Sequence, residues 1–320
     1  MVPWAGHRKS YHRQMRRVLL WAARNTWLRE RVPRLPFVRR AVRRFMPGER
    51  LADALDAAEA QRAAGLGSVF TFLGENVTDL AAARRVVDHY HEVLDRVAER
   101  DIDVELSVKL THFGLDIDPD VAFASLDALV EHAARLRNWV WIDMEGSAYT
   151  EVTVTLYERS RARYENVGLC LQAYLRRTSE DLDRLLPVRP AIRLVKGAYD
   201  EAATIAYRSR REVDDAFVAV GTQLLGAMRG GAATRCVAGT HDLTLVERLA
   251  SVAEGLELGR RAVEVQMLYG VRSSEQRRLA SEGFDVRALI AYGEAWYSWY
   301  LRRLAERPAN VLFALRQLLP

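Results

Sequence analysis

The 320-residue sequence is poor in the side chains that build disulfide frameworks and metal clusters. Its two cysteines, Cys170 and Cys236, both fall inside apolar runs, where a thiol packs as a small hydrophobe. No pair of residues has the spacing of a zinc site. These shortages exclude a disulfide-rich secreted fold, and we expect buried, reduced thiols and no metal.

Long apolar runs and nucleotide-binding glycine loops are also missing. No run approaches the roughly 20 apolar residues that a membrane-spanning helix requires. The short run at residues 18–23 is flanked by arginine and does not resemble a signal peptide. There is neither a glycine-rich dinucleotide fingerprint nor a Walker loop. With 49% hydrophobic and 28% charged residues, the composition is that of an ordinary globular protein, for which we expect a cytoplasmic location.

Lysine is scarce, and its positions are informative. Only three of the 47 basic residues are lysines, and Lys109 and Lys196 stand at the ends of the strand-like runs 104–110 and 191–198. Drift of the composition toward arginine explains either one alone, but two at equivalent strand ends favour a function. A compact ammonium and the fork of arginine are not interchangeable there.

Short β-rich runs alternate with longer helical stretches from residue 68 onward, for example the stretches 79–100 and 200–229. The runs are 68–75, 103–110, 140–145, 168–174, 191–198, 234–240, 262–268 and 286–292. Several are almost continuously apolar, as parallel strands buried on both faces are. Eight strand-then-helix units predict a (β/α)8 barrel over residues 51–320, with the active site at the C-terminal strand ends.

Polar side chains collect at these strand ends, although some belong to ion pairs at the rim. They are Glu75, Lys109, Asp143, Glu145, Gln172, Arg193, Lys196, Thr240, His241, Asp242, Glu264 and Gln266. Gly197 follows Lys196, and a glycine at a strand end lets backbone N–H groups approach a phosphate or a ring edge. The predicted site is therefore built for an anionic or heterocyclic ligand.

The C-terminal helical segment 296–310 carries two adjacent arginines, Arg302 and Arg303. Adjacent helical residues point about 100° apart, so the two guanidinium groups can grip one anion from two directions while Glu306 orients them. A carboxylate is the expected guest. The alternative is an exposed basic helix end that is favoured by its own dipole.

Residues 1–50 form a basic segment, which we call the arm. It holds fourteen Arg or Lys residues against two acids, a net charge of +12 within a chain whose total is +5. Arginines such as Arg13, Arg16 and Arg17 interleave with Leu, Val and Trp, which predicts an amphipathic helix. Such a helix can pack on the barrel, lie on an anionic membrane or bind nucleic acid, and we retain the first two.

The motifs in combination resemble the proline dehydrogenase family, and the resemblance runs from residue 45 to the end. They are Ser107-Val108-Lys109-Leu110, Ile142-Asp143-Met144-Glu145, Arg193-Leu194-Val195-Lys196-Gly197-Ala198-Tyr199, Thr240-His241-Asp242, Glu264-Val265-Gln266-Met267-Leu268-Tyr269-Gly270 and Arg302-Arg303-Leu304-Ala305-Glu306-Arg307-Pro308-Ala309-Asn310. The resemblance implies a flavin-dependent barrel that oxidises L-proline to Δ1-pyrroline-5-carboxylate and passes electrons to a quinone. It also implies a final helix over the barrel mouth.

The same resemblance implies roles for single residues. Lys109, Arg302 and Arg303 would hold the substrate carboxylate, and Asp143 and Arg193 match active-site positions, with the arginine near flavin N5. The implied FAD contacts are Met144, Gln172, Lys196, Gly197, Ala198, Thr240 and His241. Contact of the arm with the inner face of an anionic membrane is an alternative predicted from its charge pattern and not from the resemblance.

One segment departs from the family pattern Arg-x-Tyr-x-Pro-Tyr-Gly. Here residues 287–293 place Leu289 and Ala291 where the tyrosine and the proline are expected. In the family that tyrosine packs over the substrate ring, and members that prefer hydroxyproline have lost it. Two alternatives follow. Either Leu289 or the neighbouring Tyr292 covers the ring and the substrate is proline, or the pocket accepts a ring-substituted proline or another cyclic imino acid.

Two rival functions come from other classes. A lysine at a barrel strand end is the usual nucleophile of a Schiff-base aldolase, although Gly197-Ala198 and the arginine pair favour a flavin and a carboxylate. A non-catalytic protein that binds RNA or membranes through the arm would show salt-dependent binding without flavin. Bound flavin separates both rivals from the dehydrogenase.

Overall fold

The computed structural model describes residues 21–22, 25–32, 35, 38, 42–74, 77, 79–297 and 299–301. Within them, eight parallel strands follow one another around a closed barrel, each paired with its neighbour in sequence and the last with the first. The strands are β1 Gly67–Phe72, β2 Val104–Val108, β3 Val140–Ile142, β4 Val167–Gln172, β5 Ala191–Val195, β6 Arg235–Gly239, β7 Val263–Leu268 and β8 Val286–Tyr292. The predicted (β/α)8 fold is confirmed.

Two of the described helices precede β1, and the others connect successive strands on the outside of the barrel. In chain order, the helices are α1 Thr26–Arg31, α2 Leu51–Ala63, α3 Leu80–Glu99, α4 Pro119–Arg135, α5 Ser147–Arg161, α6 Thr178–Leu185, α7 Arg210–Arg229, α8 Leu243–Gly255 and α9 Ser273–Ser281. The helix expected from residue 200 begins only at Arg210, because Ser209 and Glu212 form a capping box there. Residues 200–209 instead lengthen the loop above β5.

The hydrophobic core lies in two layers. The larger layer fills the space between the strands and the outer helices and includes the buried side chains Phe70, Tyr90, Leu106, Leu129 and Leu249. A smaller cluster inside the barrel joins Val69, Trp141, Ala191 and Val237. Alternating side chains therefore point inward and outward along every strand, which fixes what can reach the barrel mouth.

The N-terminal half of the barrel interior is closed by an ion-pair network. Arg235 donates to Glu264 at 2.7 Å and pairs with Glu105 at 2.8 Å, and Trp141 donates its indole N–H to Glu105 at 2.6 Å. Glu264, expected at the mouth with Gln266, thus lies at the opposite end of β7. The reason is that the strand extends for two inward positions beyond it.

Residues from both ends of the described chain meet at the mouth beside β1 and β8. Trp296, Tyr297 and Tyr300 are buried in one cluster with Val42 and Met46. Residues 296–297 and 299–301 are helical, whereas Arg302, Arg303 and most of the arm lie outside the described residues, as does Glu75. No helix among the described residues has both the length and the apolar character needed to cross a membrane.

Candidate active site

Asp143, just after β3, is the centre of a charged cluster at the C-terminal strand ends. Lys109, just after β2, donates to its Oδ2 at 2.7 Å, and Ser107 Oγ donates to its Oδ1 at 2.8 Å. Arg193 on β5 also donates to Asp143 Oδ1, and it reaches Ser107 Oγ at 2.8 Å. Three strands therefore bring two predicted cations onto one predicted carboxylate.

The charges in this cluster are strongly coupled. Burial raises the pKa of Asp143, but Lys109 and Arg193 outweigh burial and lower that pKa to about 2. Asp143 therefore stays ionised at any physiological pH and neutralises one of its two cations. Lys109, Arg193 and Asp143 together keep one positive charge, and Glu145, whose pKa burial raises, lies near Lys109 and hydrogen-bonds to Thr111.

Arg193 is held rigidly beneath this mouth. The residue is 3% exposed. Its Nη1 donates to Gln266 Oε1 at 3.1 Å, and its guanidinium lies 5.4 Å from the centre of the Trp141 ring. Partners on three sides fix the plane of the guanidinium. Its charged edge toward the barrel mouth is therefore already oriented before a ligand binds.

Ser107 and Trp141 are components that the sequence did not identify as functional. Ser107 is fully buried and links Arg193 to Asp143, because its hydroxyl accepts from one and donates to the other. A signal was present, since Ser107 lies two residues before Lys109 and so shares its inward face of β2. A buried serine in an apolar strand is nevertheless usual in cores, and only the register across β2, β3 and β5 reveals its partners.

Two buried glutamines carry polar atoms that have no protein partner. Gln172 Nε2 donates to Met144 O at 3.2 Å while its Oε1 has no hydrogen bond, and Gln266 Nε2 has none either. Both residues are at least 96% buried, with exposures of 3% and 4%. Leaving such atoms unsatisfied is costly, so a polar ligand with both donors and acceptors is expected beside them.

Gly197 makes a close approach that only glycine allows. Its φ is +110°, and a Cβ at this position would lie 2.1 Å from the ring of Tyr174. Ala198 is exposed directly after it, at the start of the loop above β5. A flat surface of backbone and aromatic ring results, which suits a planar heterocycle.

Lys196 has a different environment from Lys109. Its ammonium contacts Asp214 and lies 3.0 Å from Asp242, and Arg210 lies 3.1 Å from the same Asp242 oxygen. Two cations and two carboxylates from β5, α7 and the loop before α8 thus form one cluster. Its basic members can serve phosphate groups, whereas a Schiff-base nucleophile needs an unpaired, desolvated amine.

Thr240 and His241 follow β6 beside this cluster. Thr240 Oγ1 accepts from the backbone N–H of Asp242 at 3.1 Å, and His241 Nε2 accepts from that of Leu268 at 2.9 Å. The bond from Leu268 fixes the proton of His241 on Nδ1. The end of β7 therefore orients the Nδ1–H group of His241.

Leu289 points into the barrel and Tyr292 points away from it. Leu289 is half-buried and pairs in register with Val69 on β1 and Leu268 on β7. Tyr292 is fully buried on the opposite face of β8, against Phe70 and Phe72. Tyr292 therefore does not replace the missing tyrosine, and Leu289 forms this part of the wall.

The predicted site residues that the structure describes thus gather at one end of the barrel. Lys109, Asp143 and Arg193 are in direct contact or share a partner, and Gln172, Lys196, Gly197, Thr240 and His241 follow on β4 to β6. Within the described part of the chain, no group of three or more His, Cys, Asp or Glu side chains is arranged to hold a metal ion. The unpartnered glutamine atoms, the Gly197 surface and the basic cluster fit the ring and phosphates of a flavin dinucleotide.

Comparison with known proteins gives a consistent result. A family model described as proline dehydrogenase matches residues 54–316. Proline dehydrogenase 1 of Bacillus subtilis (strain 168) is 32% identical over 306 residues, covering 95% of this chain and 99% of the relative. Proline dehydrogenase of Deinococcus radiodurans is 31% identical over 281 residues, covering 86% of this chain and 89% of the relative.

Solved structures agree on the fold. Proline utilization A (PutA) from Bdellovibrio bacteriovorus, inactivated by N-propargylglycine, superposes with a TM-score of 0.78 at 22% identity. The match covers 85% of this chain and 33% of that chain, so this chain spans about a third of the larger protein. At this identity the likeness concerns the barrel alone.

Proposed function

The chain belongs to the proline dehydrogenase family of oxidoreductases, and from this premise we propose that it oxidises L-proline to Δ1-pyrroline-5-carboxylate with bound FAD. The observation that carries the proposal is the cluster of Lys109, Asp143 and Arg193 at the strand ends of a barrel whose sequence matches the family over most of its length. Proline oxidation removes a hydride from the ring carbon beside nitrogen that does not carry the carboxylate, and it removes a proton from nitrogen. FAD supplies the acceptor for the hydride.

Substrate binding is assigned to three cations. Lys109 presents its ammonium at the mouth and is oriented by Asp143. Arg302 and Arg303, which follow the last described residue directly in sequence, are proposed to supply the remaining contacts to the carboxylate. Each charge-assisted hydrogen bond contributes about 1.5–3 kcal/mol, so three cations hold a small zwitterion firmly.

Asp143 and Arg193 are the proposed catalytic pair. Arg193 would stabilise negative charge on the flavin, and Asp143 and Ser107 hold its guanidinium in place. Met144, Gln172, Lys196, Gly197, Ala198, Thr240 and His241 are the proposed FAD contacts. Support comes from the two unpartnered glutamine atoms and from the Gly197 surface.

A second substrate class is favoured by Leu289. A leucine in the inward-facing wall leaves an apolar surface where the family pattern has a tyrosine. A substituent on the distal ring carbons of the substrate then meets less crowding. Hydroxyproline or another ring-substituted imino acid is therefore the alternative substrate.

The electrons pass, in this proposal, to a quinone, and the arm brings the enzyme to the inner face of the membrane. The support is the net charge of +12 within residues 1–50. Trp21 and Trp27 add exposed rings, with exposures of 61% and 58%. Aromatic and basic side chains together favour the interface of an anionic bilayer.

Anaerobic bleaching of the purified flavoprotein tests the proposed function. Proline, 4-hydroxyproline, pipecolate and N-methylated analogues are added in turn, and loss of the flavin absorbance identifies the substrate. Bleaching by proline supports the first proposal, and bleaching by 4-hydroxyproline alone supports the alternative. Colourless protein, or yellow protein that none of the compounds bleaches, contradicts both.

A further inference from the structure

The end of β8 is tied to an outer helix through a buried tyrosine. The Tyr292 hydroxyl and Nε2 of His89 on α3 share a hydrogen bond of 2.8 Å. The Tyr292 ring is fully buried and lies 5.6 Å from the ring of Phe72, which lies 4.4 Å from that of His89. The last residue of the barrel strand is therefore fixed by both a polar and an aromatic contact.

The final helix starts from this fixed point. Tyr292 O accepts from Leu73 N at 2.7 Å, and Leu73 O accepts from Ala295 N at 3.2 Å. Gly293 lies between them with a φ of +120°, and a Cβ there would lie 2.6 Å from Leu73 O. Because the chain turns so tightly, a displacement of Tyr292 moves the start of the helix directly.

The other side of the helix start is anchored separately. Trp296 is 1% exposed and donates its indole N–H to Glu49 at 2.8 Å. It packs with Leu73, which directly follows β1, and with Ala291, which belongs to β8. The helix therefore rests on the barrel mouth, with the chain leading toward Arg302 and Arg303.

We infer that His89 is a positioning residue for the final helix, acting through Tyr292. It contacts the strand end but is separated from Lys109 and Asp143 by the barrel wall, so its effect on substrate is indirect. This inference rests on the proposed function only where it invokes a substrate. Its structural core, that the His89–Tyr292 bond orders residues 293–301, stands without it.

The test uses four variants of the holoenzyme: Tyr292→Phe, His89→Leu, their combination, and His91→Leu as a control. Tyr292→Phe removes only the hydroxyl. His91 lies on the same helix, but its Nδ1 contacts His132 on α4 at 2.8 Å and so faces away from β8. Amide hydrogen exchange of residues 293–301 and of the barrel strands is followed, together with KM, kcat and flavin content.

We expect Tyr292→Phe and His89→Leu each to speed exchange in residues 293–301 by about three- to tenfold, the value of one net hydrogen bond, with the strands unchanged. KM for proline rises by a similar factor while flavin content and kcat with a soluble dye change little. The double variant resembles the single ones, since both remove the same bond, and His91→Leu resembles the parent.

Unchanged exchange at residues 293–301 in Tyr292→Phe overturns the inference, and so does simple addition of the two effects. If His89→Leu fails to fold, Tyr292→Phe alone decides. If proline does not reduce the parent enzyme, the proposed function fails, but the exchange measurement still decides the role of His89.

Discussion

At the residue scale, Asp143 contributes a negative charge at the barrel mouth. We predict that its ionisation stabilises the folded protein. Its pKa is lowered from 3.8 to about 2, so its stabilising effect is present above pH 3.8 and is lost as the pH falls toward about 2. Replacing Asp143 by Asn should therefore lower the free energy of unfolding at neutral pH by on the order of 2 kcal/mol. The difference should shrink as the pH is lowered through that window.

Denaturant unfolding of the parent and of Asp143→Asn at several pH values measures this difference. Asp215→Asn is the matched control, because Asp215 is an exposed carboxylate that pairs with Arg211 and Arg248 at the surface. Its replacement should have a small effect throughout. A constant difference between the parent and Asp143→Asn across the pH range would show that the ion pairs do not determine the stability of the cluster.

Leu289 gives a second prediction at the residue scale. Leu289→Tyr places a flat ring on the inward face of β8, where it packs on an unsubstituted pyrrolidine and crowds a substituted one. One such contact in an apolar pocket is worth only about 1–3 kcal/mol, so we expect a shifted preference and not an absolute switch. The ratio of kcat/KM for proline to that for 4-substituted prolines should rise in the variant. Leu289→Met, which keeps the side-chain volume and adds no ring, is the control. An equal ratio before and after the change to Tyr would remove Leu289 from the specificity determinants.

At the scale of elements, the strands were predictable and their cross-strand partners were not. Parallel strands buried on both faces give nearly unbroken apolar runs, so all eight were found, with ends differing by a few residues. The roles of Ser107 and Gln266 depend instead on which side chains β2, β5 and β7 place opposite one another. The expectation that Glu264 lies at the mouth was wrong, because Glu264 is the second residue of β7 and two inward positions follow it before the strand ends.

The prediction at the scale of elements concerns the two arginines of the final helix. Arg302→Met or Arg303→Met should raise the apparent dissociation constant of the substrate by about tenfold or more while leaving flavin content nearly unchanged, since each variant loses a charge-assisted hydrogen bond to the carboxylate. Substrate titration of the anaerobic enzyme measures this constant. Arg278→Met on α9, where the guanidinium pairs with Glu275 and Glu282 on the surface, serves as the control. Equal substrate affinity in all three variants would remove the arginine pair from the binding site.

At the scale of the whole molecule, charge is divided between two parts. The arm carries +12 and the chain +5, so residues 51–320 carry 5 − 12 = −7. A negative barrel is repelled by an anionic membrane, whereas the arm is attracted to it. In the proposed function, this division favours an orientation in which the arm faces the bilayer, where a quinone would accept the electrons.

Reversing the charge of the arm tests this orientation. Arg13, Arg16 and Arg17 changed together to Glu should abolish sedimentation with vesicles that contain anionic phosphatidylserine, because each basic residue near such a surface contributes about 1 kcal/mol. Activity with a soluble dye should be retained, and activity with a quinone embedded in the vesicles should fall. A control with the same change in net charge replaces Arg96, Arg135 and Arg211, which are exposed on the barrel helices, by Glu. If both triple variants lose vesicle binding equally, net charge alone governs the attraction. If neither loses it, the charges of Arg13, Arg16 and Arg17 do not attract the protein to the membrane.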